Sequence, residues 1–182
     1  MAANNLRIIY ENIVDLTTTN VVASSTASLS TPASNLKLNT KSQVWRSAST
    51  ATPADINGLY SVSASLQVEF NSSNVGGVVL PFCNLSSSAT IRVRGYVGAT
   101  LIFDSGVVAT CPAQNLGLWN WGVTPLGVNS YSYGGGAYGR VWIPPGSQGA
   151  CTSLLIEIVD TQNSSPYIEA SRLVVGLSLI HI

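Results

Sequence analysis

The chain offers little material for acid–base chemistry. Its 182 residues carry eight Asp and Glu side chains and one histidine, His181. Catalysis by proton transfer needs titratable groups held in pairs or triads. Glu157, Asp160 and Glu169 come closest, since two carboxylates flanking a glycosidic bond can act as acid and as nucleophile or base. The local pattern speaks against that use. Glu157 falls on the polar face of "TSLLIEIVD", Asp160 in the turn that follows, and Glu169 at the start of the next alternating stretch. A Ser-His-Asp or Cys-His set would have to recruit His181. Cys83, Cys111 and Cys151 are too widely spaced for a zinc site and read as reduced, buried thiols. "YGGGAYG" has glycines but lacks the Lys-Ser/Thr and the strand-to-helix setting of a phosphate loop. No Asp/Asn-rich calcium loop stands out. The expectation is a protein that is not an enzyme and holds no metal or cofactor.

Binding chemistry is better supplied. "NLGLWNWGVTPLGVNSYSYGGGAYGR", Asn115 to Arg140, gathers Trp119, Trp121, Tyr131, Tyr133 and Tyr138 among glycines. It is too long for a hairpin turn; such long loops in compact domains are usually functional or disordered, and the aromatics here argue for partial order. Flat rings of this kind stack on the C–H faces of sugars and also anchor protein–protein interfaces. A third reading folds the loop back on its own domain, where the rings fill a satellite core. Arg92 and Arg94 share one strand face, which is too small a basic surface for nucleic acid. A salt bridge or a solvated face suits them better.

These residues need a scaffold, and the sequence pattern describes one. Alternation with period two dominates. In "YSVSASLQVEF", Tyr60, Val62, Ala64, Leu66, Val68 and Phe70 fall on one face, and serines, Gln67 and Glu69 on the other. "VGGVVLPFC" reads as a strand buried on both sides. "ATIRVRGY" alternates again. "TLIFDSGVV" is a strand pair or one strand with a Ser-Gly turn, and "GRVWIPP" is a short strand ended by prolines. "TSLLIEIVD" and "YIEASRLVVGLSL" are the last strands. Only Asn4 to Leu16 hints at a helix. Short spacings between polar, Gly- and Pro-rich turns make this an all-β sandwich or barrel.

Composition sets further bounds. Charged residues are 9% of the chain, against about a quarter in ordinary domains, and the net charge is zero. Such a surface exerts no pull on nucleic acid or anionic membrane. No apolar run reaches the length of a membrane span. "MAANNLRIIYENIVDL" shows no basic segment leading into an apolar run, so no export signal is expected. The sequons at Asn71, Asn84 and Asn163 are then silent. The length fits one domain over residues 1–182, with a core at about 22–176, an insertion at 115–140 and a tail at 177–182.

The order of parts resembles a known family. "VVASSTASLSTPASNLKLNTKSQVWRS" is followed by a strand ending "VEF", by "VGGVVLPFCNLSSSATIRVRGY", and near the end by "LLIEIVDTQNSSPYIEASRLVVG". This resembles the galactose-binding-like, discoidin-type β-sandwich. More narrowly it is similar to tailed-bacteriophage virion or tail proteins carrying that sandwich, through Ser24-Ser25, Pro32-Ala33-Ser34-Asn35-Leu36 and Trp45-Arg46-Ser47. "LGLWNWGVTPLG" looks like a Trp-Gly-rich insertion of such proteins. The resemblance spans Val22 to Gly176. It implies a jelly-roll sandwich in which Trp45 and Arg46 form a structural corner. It also implies a non-enzymatic component of a phage tail or virion, assembled in the bacterial cytoplasm and held by other virion proteins. The alternative is a carbohydrate-binding module that attaches the particle to a host-surface glycan. In this family pattern "RLVVG" ends the last strand. The following "LSLIHI" reads either as translated adapter read-through or as a native strand end.

Overall fold

The computed structural model describes residues 6–50, 52–54, 56, 58–111 and 137–181. Among them the strands run β1 (Leu6–Ile9), β2 (Asn20–Ala23), β3 (Trp45–Arg46), β4 (Tyr60–Asn74), β5 (Gly77–Cys83), β6 (Thr90–Val97), β7 (Thr100–Ala109), β8 (Ala137–Trp142), β9 (Ala150–Asn163), β10 (Glu169–Ala170), β11 (Val174–Gly176) and β12 (Ser178–His181). One sheet has the order β2-β4-β9-β6-β7. The facing sheet has β5 at its centre, with β8 on one side. On its other side β11 and β10 follow one another along β5, and β3 lies beyond β10. Each of these pairings is antiparallel.

The alternation in β4 does what the pattern dictates. Val62, Ala64, Leu66, Val68 and Phe70 are buried while the intervening residues are wholly or partly exposed. Residues directly opposite in an antiparallel pair point to the same side. Leu66 therefore meets Ile156 of β9, which meets Val93 of β6; Ala64, Ile158 and Ile91 form the next row. In a third row Leu154 meets Gly95, and the Phe103 ring lies where a Gly95 side chain would go. The facing sheet contributes Trp45, Val78, Leu80, Val141, Ala170 and Val175. Each large apolar side chain taken out of water contributes about 1.5–3 kcal/mol before the entropy of ordering it.

Three sequence readings change. The described part of Asn4 to Leu16, from Leu6 on, is not a helix: it holds β1 and then a single 3-10 turn, Ile13–Asp15. Tertiary partners override the weak local signal. β1 pairs with β12, and the Asn12 side chain accepts from the backbone N–H of Val14 and Val175. "YIEASRLVVGLSL" is not one strand. It breaks into β10, β11 and β12, of which the last pairs with β1 in a separate ribbon. Third, "VGGVVLPFC" is buried on both sides only as far as Leu80; Phe82 is exposed. "TLIFDSGVV" is one strand, β7, bent where Gly106 takes φ 66°. That left-handed conformation suits a residue without Cβ.

Candidate functional site

Trp45 and Arg46 occupy the two faces of β3. The Trp45 side chain is wholly buried, and its indole N–H donates to the Ser25 carbonyl at 3.2 Å. The next residue must point the other way. Arg46 Nε and Nη2 both donate to Glu169 Oε2, at 2.9 and 2.5 Å, across the β3–β10 pair. Its guanidinium lies 4.3 Å from the centre of the Tyr167 ring. The Glu169 hydrogen bond raises the Arg46 pKa above its ordinary value, so the cation persists at any working pH. Ser47 closes the turn: its N–H donates to Ile168 O and its hydroxyl accepts from Ile168 N–H, both at 2.9 Å. Asn84 laces the same region, donating to Tyr167 O and accepting from Glu169 N–H at 2.8 Å each.

One step back along β5 from Asn84 and Cys83 stands Phe82. Among the described residues it is the non-glycine with positive φ, 54°. Bulky residues avoid this region, and strain of this kind clusters at functional sites. The cause is a break in the β5–β8 register between Pro81 and Cys83, which turns Phe82 out of the core. Phe82 is 41% exposed, and Lys41 Nζ sits 4.1 Å above the centre of its ring. Tyr138, the β8 partner of Pro81, is also exposed in part. Burial pushes the Tyr138 phenol up, so it stays neutral and keeps its O–H donor.

The surface thus carries two rings, Phe82 and Tyr138, next to the Arg46–Glu169–Tyr167 group at the same end of the sandwich. Rings offer flat apolar faces, and the ion pair, phenols and Lys41 offer donors and acceptors. That combination suits a polyhydroxylated ligand with C–H faces. Nothing in the sequence marks Phe82, Lys41 or Tyr167. The φ of a phenylalanine has no sequence signal, and the three lie far apart in the chain.

The other sequence-predicted residues fall elsewhere. Trp119, Trp121, Tyr131 and Tyr133 lie outside the described residues; their segment leaves after Cys111 and returns at Ala137. Of that set only Tyr138 is described, and it stands in the site above. The three carboxylates considered for catalysis are each engaged. Glu157 pairs with Arg94 at 2.7 Å and Glu169 with Arg46. Asp160, read from sequence as a turn residue, is fully buried. It accepts from Ser86 N–H and Oγ, Ser88 Oγ, Gln162 N–H and Asn163 Nδ2. Arg92, on the face shared with Arg94, is held by Asp104. Among the described residues no group of three or more His, Cys, Asp or Glu side chains could hold a metal. No helix there is long and apolar enough to cross a membrane.

No protein-family model and no curated protein matches the chain. Solved structures do match in fold. A Paenibacillus sp. IK-5 chitosan-binding module, from a chitosanase/glucanase, is 16% identical with a TM-score of 0.53, covering 91% of this chain and 98% of that one. The Clostridium perfringens module CpGH89CBM32-5, in complex with GalNAc-β-1,3-galactose, is 8% identical with a TM-score of 0.52, covering 92% and 100%. A Ruminococcus gnavus GH29 fucosidase, in complex with fucose, is 10% identical with a TM-score of 0.55; the match covers 94% of this chain but spans only 28% of the fucosidase. The chain therefore has the galactose-binding-like jelly-roll β-sandwich fold of carbohydrate-binding modules.

Proposed function

We propose that the chain is a non-catalytic carbohydrate-binding module whose glycan lies against Phe82 and Tyr138. The observation that carries this reading is the Phe82 ring, turned out of the core by a left-handed backbone at the end of β5. A ring held outward against its backbone preference needs a use on the surface. Stacking on a sugar is one, with Arg46, Glu169 and Tyr167 placed to bond hydroxyls. The resemblance of the fold to modules named for chitosan and for GalNAc-β-1,3-galactose supports the ligand class. Trp119, Trp121, Tyr131 and Tyr133 are proposed to extend the same contact.

A glycan array followed by calorimetry tests the reading. Phe82→Gly removes the ring yet tolerates the backbone, so the fold should persist. Loss of one stacked ring should weaken binding about ten-fold or more. Unchanged affinity in the Phe82→Gly protein, or no glycan bound by the parent chain at all, would overturn it.

The order of motifs by which the sequence resembles tailed-phage proteins suggests a setting for this activity. We place the module on a virion, assembled in the host cytoplasm, held by neighbouring tail proteins and facing a host-surface glycan. The Trp119→Ala/Trp121→Ala double variant separates the two contacts. Particles that lack the module while the purified variant still binds glycan would assign the tryptophans to assembly. The reverse pattern would assign them to the glycan.

A further inference from the structure

Two of the three cysteines meet between the sheets. Cys83 ends β5, and Cys111 follows the end of β7 in the facing sheet. Cys83 points into the core opposite Ala137 of β8 and Ala170 of β10. Cys111 is fully buried, with Sγ 3.5 Å from the carbonyl oxygen of Tyr138, the residue after Ala137. Both belong to the same core cluster, and they meet successive residues of β8, Cys83 opposite Ala137 and Cys111 at the Tyr138 carbonyl. A Cβ on Gly139 of β8 would stand 3.6 Å from Cys111 Sγ. Cys151 differs. It is buried at the start of β9, toward the opposite end of the sandwich, and its Sγ faces the Ser73 carbonyl.

We infer that Cys83 and Cys111 form a dithiol modification site, which closes to a disulfide joining the two sheets when the chain meets a small-molecule disulfide such as oxidised glutathione. The first step is attack by the Cys83 thiolate on one glutathione sulfur, breaking the glutathione disulfide and releasing one glutathione thiolate. Cys111 then loses its proton and attacks the Cys83 sulfur of the mixed disulfide, releasing the second glutathione. Two protein thiols are oxidised, one glutathione disulfide is reduced, and the two protein protons end on the two glutathiones. The contact with Cys111 lowers the Cys83 pKa and raises that of Cys111, which fits Cys83 as the first nucleophile. Both sulfurs are buried, so the reaction waits on local opening where β7 and β8 meet. The bond constrains the unfolded chain and leaves Cys151 untouched.

The full chain is incubated with oxidised glutathione, both folded and during refolding from urea. It is then acid-quenched, unfolded, alkylated and weighed. The expected product is lighter by two hydrogens, takes one alkyl group, maps to a Cys83–Cys111 peptide and melts about 5–10 °C higher. Dithiothreitol should reverse all of this. Cys151→Ser should behave alike except that no thiol remains to alkylate, and Cys83→Ser or Cys111→Ser should abolish the product. Three alkylated thiols after both treatments, stable glutathione adducts without the cross-link, or a link to Cys151 would overturn the assignment.

Discussion

Asp160 shows what a single residue can hide from the sequence. Beside Thr161, Gln162 and Asn163 it reads as a turn carboxylate, yet it is fully buried near the end of β9. Its partners Ser86 and Ser88 precede β6 and lie more than seventy positions away. A buried carboxylate is tolerated only when its lone pairs are filled, and five donors fill them here. Together they pin the turn between β5 and β6 to the end of β9. Asp160→Ala takes the acceptor from the Ser86 and Gln162 N–H groups, while Asn163 Nδ2 keeps its bond to Asn84 O. The expected loss is about 3–5 kcal/mol of folding stability, read as a lower urea midpoint. Asp160→Asn keeps the shape and should cost less. Equal midpoints for the parent and the alanine protein would show that water replaces the carboxylate. Phe82 is hidden for a different reason: the sequence announces a ring, but only the backbone reveals that it faces out.

Elements were legible where one face is wet and the other dry. β4 and β6 alternate cleanly because each lies between a core and solvent. Legibility fails where pairing is long-range and brief. β10 and β11 hold two and three residues and exist because β5 offers them an edge. β1 likewise exists because β12 pairs with it. Gly176, the last residue of β11, is where this ribbon meets the sandwich. A Cβ there would stand 2.1 Å from the Glu11 backbone oxygen and 2.7 Å from Ile9 Cγ2. A carbonyl on the main chain cannot rotate aside, so the segment after β1 must move. Gly176→Ala should therefore cost about 1–3 kcal/mol. Hydrogen exchange should quicken first at Tyr10, whose N–H donates to Leu177 O, and not at the β9 amides. Equal quickening in both places would mean that the ribbon and sandwich open as one unit.

Across the whole molecule, charge contributes little and apolar packing much. Arg46–Glu169, Arg92–Asp104, Arg94–Glu157 and Arg172–Asp15 each join partly exposed side chains. Pairs of this kind are worth about 0–1 kcal/mol and are screened by salt. With zero net charge there is no general repulsion for salt to relieve. Raising NaCl from about 0.05 to about 0.5 M should shift the melting temperature by less than about 3 °C. The same neutrality bears on the ligand. Arg46 and Glu169 neutralise one another, so the hydrogen bonds they offer a neutral sugar, like stacking on Phe82, carry no net charge for salt to screen. Affinity for a neutral oligosaccharide should then change less than about two-fold over the same salt range. A steep fall in affinity with an unmoved melting temperature would point to an anionic glycan read by Lys41. A fall in both would mean that the ion pairs support the binding surface itself.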